Sequence, residues 1–179
     1  MNYPNLREKG IPAMISFKKA GIEDIALIRE LSLKIWPQTY SAILTPVQMD
    51  YMLEMMYSPS SLNEQMVQKQ HIFIIAYHNE EAAGFASYSH TDASAGSHYR
   101  LHKIYVLPSM QGTGLGKKMI EHIISIIIPL GAVSLELNVN RHNKAKGFYE
   151  KQGFSIVREE DIDIGNGYFM NDYIMKKIL

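Results

Sequence analysis

The chain predicts one α/β domain built on a mixed, mostly antiparallel sheet, and three observations predict it. Apolar segments of strand length alternate with segments of helical period along the 179 residues. A glycine-rich turn, Gln111-Gly112-Thr113-Gly114-Leu115-Gly116, joins an apolar strand over 101–106 to a helix opening at Leu115. A second strand, over 133–139, follows that helix, so the two strands should run parallel with a right-handed crossover between them.

Residues 1–13 are polar, with Pro4, Gly10 and Pro12, and are expected to form a loosely ordered leader to a domain over 14–179. Met14 offers an alternative start. Ile15–Lys19 reads as a short strand. Ile25, Ile28, Leu31 and Ile35 give a helix over 23–36, which Pro37 should stop. Thr45-Pro46 caps a second helix that reaches Ser58-Pro59. Ser61-Leu62-Asn63-Glu64 has capping-box form and opens a short third helix. Strands over 72–77 and 82–89 flank His78-Asn79-Glu80-Glu81, and small polar residues over 92–97 make a loop. The helix after the glycine turn covers 115–128 and ends at Pro129. A helix over 143–152 closes at Gly153, and strands over 154–164 and 168–178 form a hairpin around Gly165-Asn166-Gly167.

Composition excludes several functions. Lys plus Arg equals Asp plus Glu at 18 each, so no overall field points to nucleic acid or an acidic membrane. Cysteine is absent, which removes disulfides, thiolate metal sites and a cysteine nucleophile, and fits a cytoplasmic location. His98 and His102 would lie roughly 13 Å apart on a strand, and no His-Glu-x-x-His occurs, so no metal site is expected. The eleven methionines fall largely on apolar helix positions as core filler.

The glycine turn carries the chemistry. Three glycines at alternate positions let backbone approach a ligand, and the free N–H groups of a helix start favour an anion. A dinucleotide fingerprint would need glycine at Lys117. A P-loop would need glycine at Gln111 and Ser or Thr at Lys118. What remains is Gln-x-x-Gly-x-Gly after a strand.

That hexapeptide resembles motif A of the GCN5-related N-acetyltransferases. The later run Leu135-Glu136-Leu137-Asn138-Val139-Asn140-Arg141-His142-Asn143-Lys144-Ala145-Lys146-Gly147-Phe148-Tyr149, with its Gly153-Phe154 exit, resembles their motif B. The resemblance covers nearly all of 14–179. It implies that the strands flanking the crossover splay apart and that acetyl-CoA is the acetyl donor. Backbone of Ile104, Tyr105 and Val106 would then pair with the pantetheine arm. Gln111, Gly112, Thr113, Gly114, Leu115, Gly116 and Lys117 would hold the pyrophosphate. Asn138 and Asn143 would bond the arm, although Asn143 equally suits a helix cap.

Tyr149 falls where the family often places a general acid, and a phenol is a proton donor at neutral pH. His102 and Glu136 are the candidate bases, with ordered water as the alternative. Trp36, Tyr40, Tyr51 and Tyr168 are candidates to line the acceptor pocket. Asp50, Glu54 and the acidic run over 159–163 could attract a cation. The expected function is transfer to a primary amine, with a polyamine or other small amine first and a peptide N-terminus or lysine second. A non-catalytic acyl-CoA sensor is the alternative of another class. Dimers are frequent in this family, so a homodimer is compatible with it.

Overall fold

The computed structural model describes residues 14–91 and 97–179, so the leader and residues 92–96 of the expected loop lie outside the described residues. The chain begins with β1 (Ile15–Lys19), α1 (Ile25–Tyr40), α2 (Pro46–Tyr57) and α3 (Pro59–Val67). It continues through β2 (Ile72–His78), β3 (Glu81–Thr91), β4 (Ser97–Val106) and α4 (Leu115–Ile127). β5 (Ala132–Asn140), α5 (Ala145–Lys151), β6 (Ser155–Gly165) and β7 (Tyr168–Ile178) complete it. The sheet order is β1-β2-β3-β4-β5-β7-β6. Only β4 and β5 pair in parallel among these neighbours, as the crossover through α4 requires.

Each face of the sheet holds a core. Ile74, Ala76, Leu101, Leu135 and Leu137 meet the stripe Leu115, Met119, Ile120, Ile123 and Ile127 of α4 on one face. Phe73, Ile75 and Phe85 meet Ile28, Leu31, Ile35, Trp36 and Leu53 of α1 and α2 on the other. β2 therefore reads as a continuous apolar run, because its alternate residues are buried on opposite faces. Ile28, Ile75 and Ile123 are each 0% exposed, and full burial of such a side chain is worth about 1.5–3 kcal/mol.

Of the boundaries that differ from the sequence expectation, three have a clear local cause. α1 runs through Pro37 to Tyr40. The hydrogen bond that proline removes would have ended on the carbonyl of Leu33, a residue exposed to water, where its loss is least costly. α3 starts two residues before Ser61, because the Ser58 hydroxyl accepts from the Ser61 N–H and Pro59 takes the first turn. β4 begins at Ser97, which pairs with Ala132 of β5, and the antiparallel ladder with β3 takes hold at His98.

One irregularity sets up the site. β3 and β4 pair Ser87 with Lys103 but Tyr88 with Leu101, so His102 is an extra residue in β4. Such a bulge bends the strand and shifts its alternation. Tyr99 and Leu101 face the α4 core, whereas Lys103 lies over the Tyr57 and Phe73 rings on the opposite face. β4 and β5 stay paired only from Ser97 with Ala132 to Leu101 with Leu137. Beyond the bulge the two strands part.

Candidate functional site

The parting of β4 and β5 leaves the β5-facing backbone of Ile104, Tyr105 and Val106 unpaired, while β3 still holds their other edge as far as Val106. An unpaired strand edge can take an extended ligand as an added strand. Gly84 of β3 lets this segment sit where it does. A Cβ there would stand 2.4 Å from the Tyr105 carbonyl oxygen, so no larger residue fits without moving β4.

After a single turn over Pro108–Met110 the glycine segment opens α4. Gly112 and Gly114 have φ of 78° and 85°, values that favour glycine. A Cβ at either would meet nothing within 4 Å, so both face open space. Gly114 caps α4 without a side-chain bond, and the first ladder bond runs from the Lys118 N–H to the Gly114 carbonyl at 3.1 Å. The N–H groups of Leu115, Gly116 and Lys117 precede it in the helix and have no intrahelical acceptor. Gln111 and Thr113 differ, because their N–H groups bond the Pro108 and Met110 carbonyls at 3.2 and 3.4 Å. They shape the turn. Gly116 has its own task, since a Cβ there would touch Phe148 of α5 at 3.4 Å. Donors, open space and helix polarity together fit a diphosphate.

Four tyrosines gather beside the strand gap. The Tyr40 and Tyr105 hydroxyls lie 3.1 Å apart. Burial pushes the Tyr40 phenol well above its ordinary pKa, and Tyr105 and Asp172 add to the rise while Asn143 opposes it. Tyr149 is raised by burial and then by Tyr40, and Tyr57 and Tyr105 rise chiefly through burial. All four phenols therefore keep their protons at neutral pH and can act as donors. Tyr149 is fixed between the Phe148 and Phe154 rings, with centroids 5.2 and 6.0 Å away. Asn143 turns the chain into α5 from just before the Lys144 cap position, its Oδ1 accepting from the Ala145 N–H at 2.9 Å. Asn138, on β5 past the last β4 pair, donates to Asp172 at 3.4 Å.

The expected acceptor residues divide. Tyr40 reaches the gap. Trp36 is 2% exposed and packs behind Tyr40 with ring centroids 4.6 Å apart, so it supports the pocket from the core rather than lining it. Tyr168 stands 5.5 Å from the Tyr51 ring, and the Tyr51 hydroxyl donates to the Ile164 carbonyl at 2.6 Å. That bond ties α2 to the β6–β7 hairpin. Glu54 is paired with Arg29 at 3.1 Å, and in the acidic run Glu159 and Asp161 both pair with Arg141.

The surroundings of His102 and Glu136 do not suit a base. His102 stacks on His71 with centroids 3.8 Å apart, and its Nε2 lies 2.8 Å from the Ser89 hydroxyl. Burial, then His71, Lys103 and Arg100, push its pKa down to about 3, leaving a poor proton acceptor at neutral pH. Glu136 lies opposite Arg100 where β4 and β5 are still paired, and it also meets Arg158 and Lys176. Burial raises its pKa, but the Arg100 hydrogen bond and these three cations outweigh that and hold it low. Both side chains brace the closed end of the strand pair. Asp172, Gly84 and the His71–His102 stack escaped the sequence reading. Counting by two from Ile174 along β7 would have turned Asp172 inward with Met170.

Among the described residues no three His, Asp or Glu side chains converge as metal ligands, and no helix is long and apolar enough to cross a membrane. A family model described as an acetyltransferase (GNAT) domain matches residues 42–175. An uncharacterized N-acetyltransferase of Mycobacterium bovis is 28% identical over 123 residues, 68% of this chain and 76% of that protein. A peptidyl-lysine N-acetyltransferase of Salmonella typhimurium is 37% identical over 67 residues, 36% of this chain and 43% of its own. In structure, the PaiA N-acetyltransferase of Thermoplasma acidophilum in complex with coenzyme A superposes with a TM-score of 0.77. It is 25% identical and covers 93% of this chain and 99% of its own.

Proposed function

The chain belongs to the GNAT acetyltransferase family, and from that membership we propose that it acetylates a small primary amine, a polyamine or similar cation, by direct attack in a ternary complex. It is an acyltransferase, and acetyl-CoA is the cosubstrate of its family. The observation that carries the proposal is the β4–β5 gap, with a phosphate-suited turn at one side and a protonated tyrosine cluster beside it.

Acetyl-CoA supplies an activated acyl group; the protein binds, orients and moves protons. Gly112, Gly114 and the N–H groups of Leu115, Gly116 and Lys117 hold the diphosphate, on a turn shaped by Gln111 and Thr113. The free backbone edge of Ile104, Tyr105 and Val106 aligns the pantetheine arm, flanked by Asn138 and Asn143. Tyr149 keeps a proton at its hydroxyl for the departing thiolate. Holding two substrates in register supplies much of the acceleration without a strong base.

The Tyr51–Ile164 bond favours a small acceptor, because it ties α2 to the hairpin on the same sheet face against which Tyr40 packs. A long peptide would have to part them. The peptidyl-lysine relative matches too little of this chain to carry its acceptor across. A cytoplasmic location belongs to the same proposal and rests on the cysteine-free composition.

Thiol release from acetyl-CoA decides between readings, with spermidine, a lysine-containing peptide, an alanine-starting peptide and buffer as acceptors. Spermidine should react fastest. Faster peptides would move the assignment to protein acetylation. Thermal stabilisation by coenzyme A without turnover of any amine would make the chain a sensor.

A further inference from the structure

Asp172 is a buried carboxylate that the reading above leaves without a task. It lies on β7, 6% exposed, opposite Asn140 of β5 and Glu160 of β6. The other buried acid among the described residues, Asp24, is neutralised by Lys18 at 2.9 Å. Asp172 has only the Asn138 carboxamide, at a long 3.4 Å. The positive charge that acts on it is Arg141, whose two terminal nitrogens pair with Glu159 and Asp161 while its buried Nε has no partner among the described residues. A buried carboxylate without a cation in contact has lost its hydration with nothing to replace it. The arrangement makes sense if a cation arrives with a ligand. The space it would enter borders the strand gap, since Asn138, the partner of Asp172, and the facing Asn140 both lie on β5 past the last pair with β4 at Leu137.

Resting on the amine acetyltransferase reading, we propose that Asp172 receives the acceptor's ammonium group and takes its first proton. An N–H bond of the ammonium breaks and the proton moves to an Asp172 carboxylate oxygen. The freed lone pair forms the C–N bond to the acetyl carbon, and the C–S bond breaks with its electron pair leaving on sulfur. The thiolate takes the Tyr149 proton, the second amine proton replaces it on the phenolate, and Asp172 releases its proton to solvent. One proton is released per turnover.

The groups facing Asp172 are Tyr40 from α1, Asn138 from β5, Arg141 from the following loop and Glu160 from β6. Burial raises its pKa and Glu160 adds to that, while Asn138 and Arg141 oppose, with a net upward shift that makes it a better base.

The test compares wild type, Asp172→Asn and Asp172→Glu in thiol release with spermidine from pH 6 to 9, alongside thermal stabilisation by coenzyme A. Asp172→Asn should lose at least about 100-fold in kcat/KM at pH 7. It should recover about tenfold per pH unit, because only amine already neutral in solution can react. Its coenzyme A stabilisation should match wild type. Asp172→Glu should restore turnover at neutral pH with a displaced acid limb. A merely structural Asp172 would lower activity evenly across pH, and a profile parallel to wild type in Asp172→Asn overturns the proposal. Should Asp172→Asn fail to fold, an unmoved acid limb in Asp172→Glu overturns it instead. If wild type turns over spermidine and only these profiles fail, the family function stands and Asp172 alone is displaced. If wild type acetylates no amine, both fall.

Discussion

Lowering the pH from 7.5 to 5 should destabilise this protein through two stacked histidines. His71 and His102 lie ring on ring with an interplanar angle of 10°. Burial, followed by Lys103 and Lys69, lowers His71 to about 4, and His102 sits at about 3. The unfolded chain binds these protons near pH 6.5. Both folded values are depressed, so the stabilisation is complete above pH 6.5 and is lost as pH falls toward 4 and 3. At pH 5 each ring contributes about 2 kcal/mol of loss before solvent screening. Half-exposed His71 should keep about half of that, giving a total near 3 kcal/mol. The lowered pKa of His122 acts in the same direction, and the raised pKa of Asp172 opposes it. Urea denaturation at pH 7.5 and pH 5 measures the difference directly. His71→Phe keeps an aromatic ring on His102 while removing one titrating group, so its loss should shrink by about a third. An equal loss in His71→Phe and wild type, or no loss in wild type, refutes the reasoning. The stack also sits at the bulge that opens the strand gap, so coenzyme A affinity should weaken over the same pH range.

Three substitutions probe the rest of the site. Tyr149→Phe should cut turnover about 100-fold and leave acetyl-CoA affinity unchanged, and full turnover would remove Tyr149 from the chemistry. Gly114→Glu places a negative side chain in the open space of the turn at a φ of 85°, so coenzyme A should no longer raise the melting temperature. Retained stabilisation would move the phosphate site elsewhere. Gly84→Ala drives a methyl toward the Tyr105 carbonyl and should cost about 1–3 kcal/mol in urea denaturation while weakening cofactor binding. Wild-type stability would show that β4 can yield there.

The sequence by itself determined the order of elements, the glycine turn, the tyrosine of α5 and the family resemblance. Local rules govern these features. A Thr45-Pro46 start, a Gly165-Asn166-Gly167 reversal and a four-residue apolar stripe each act over one or two turns of chain. α1 passes the stop signal at Pro37, because the bond that proline removes falls at Leu33, a residue exposed to water.

Tertiary structure decided which polar groups do what. Glu136 and His102 looked like bases by residue type, yet Arg100, Arg158 and Lys176 surround one and His71 covers the other. Nothing in the sequence around Asp172 marks it out, and only pairing with β5 and β6 encloses it. Proton affinity depends on burial and on charges brought in from distant parts of the chain, and those are fixed only when the strands pair. The strand gap follows the same logic. A single extra residue, His102, is invisible in a list of apolar positions, but against β3 it parts β4 from β5 and exposes the backbone edge beside the glycine turn.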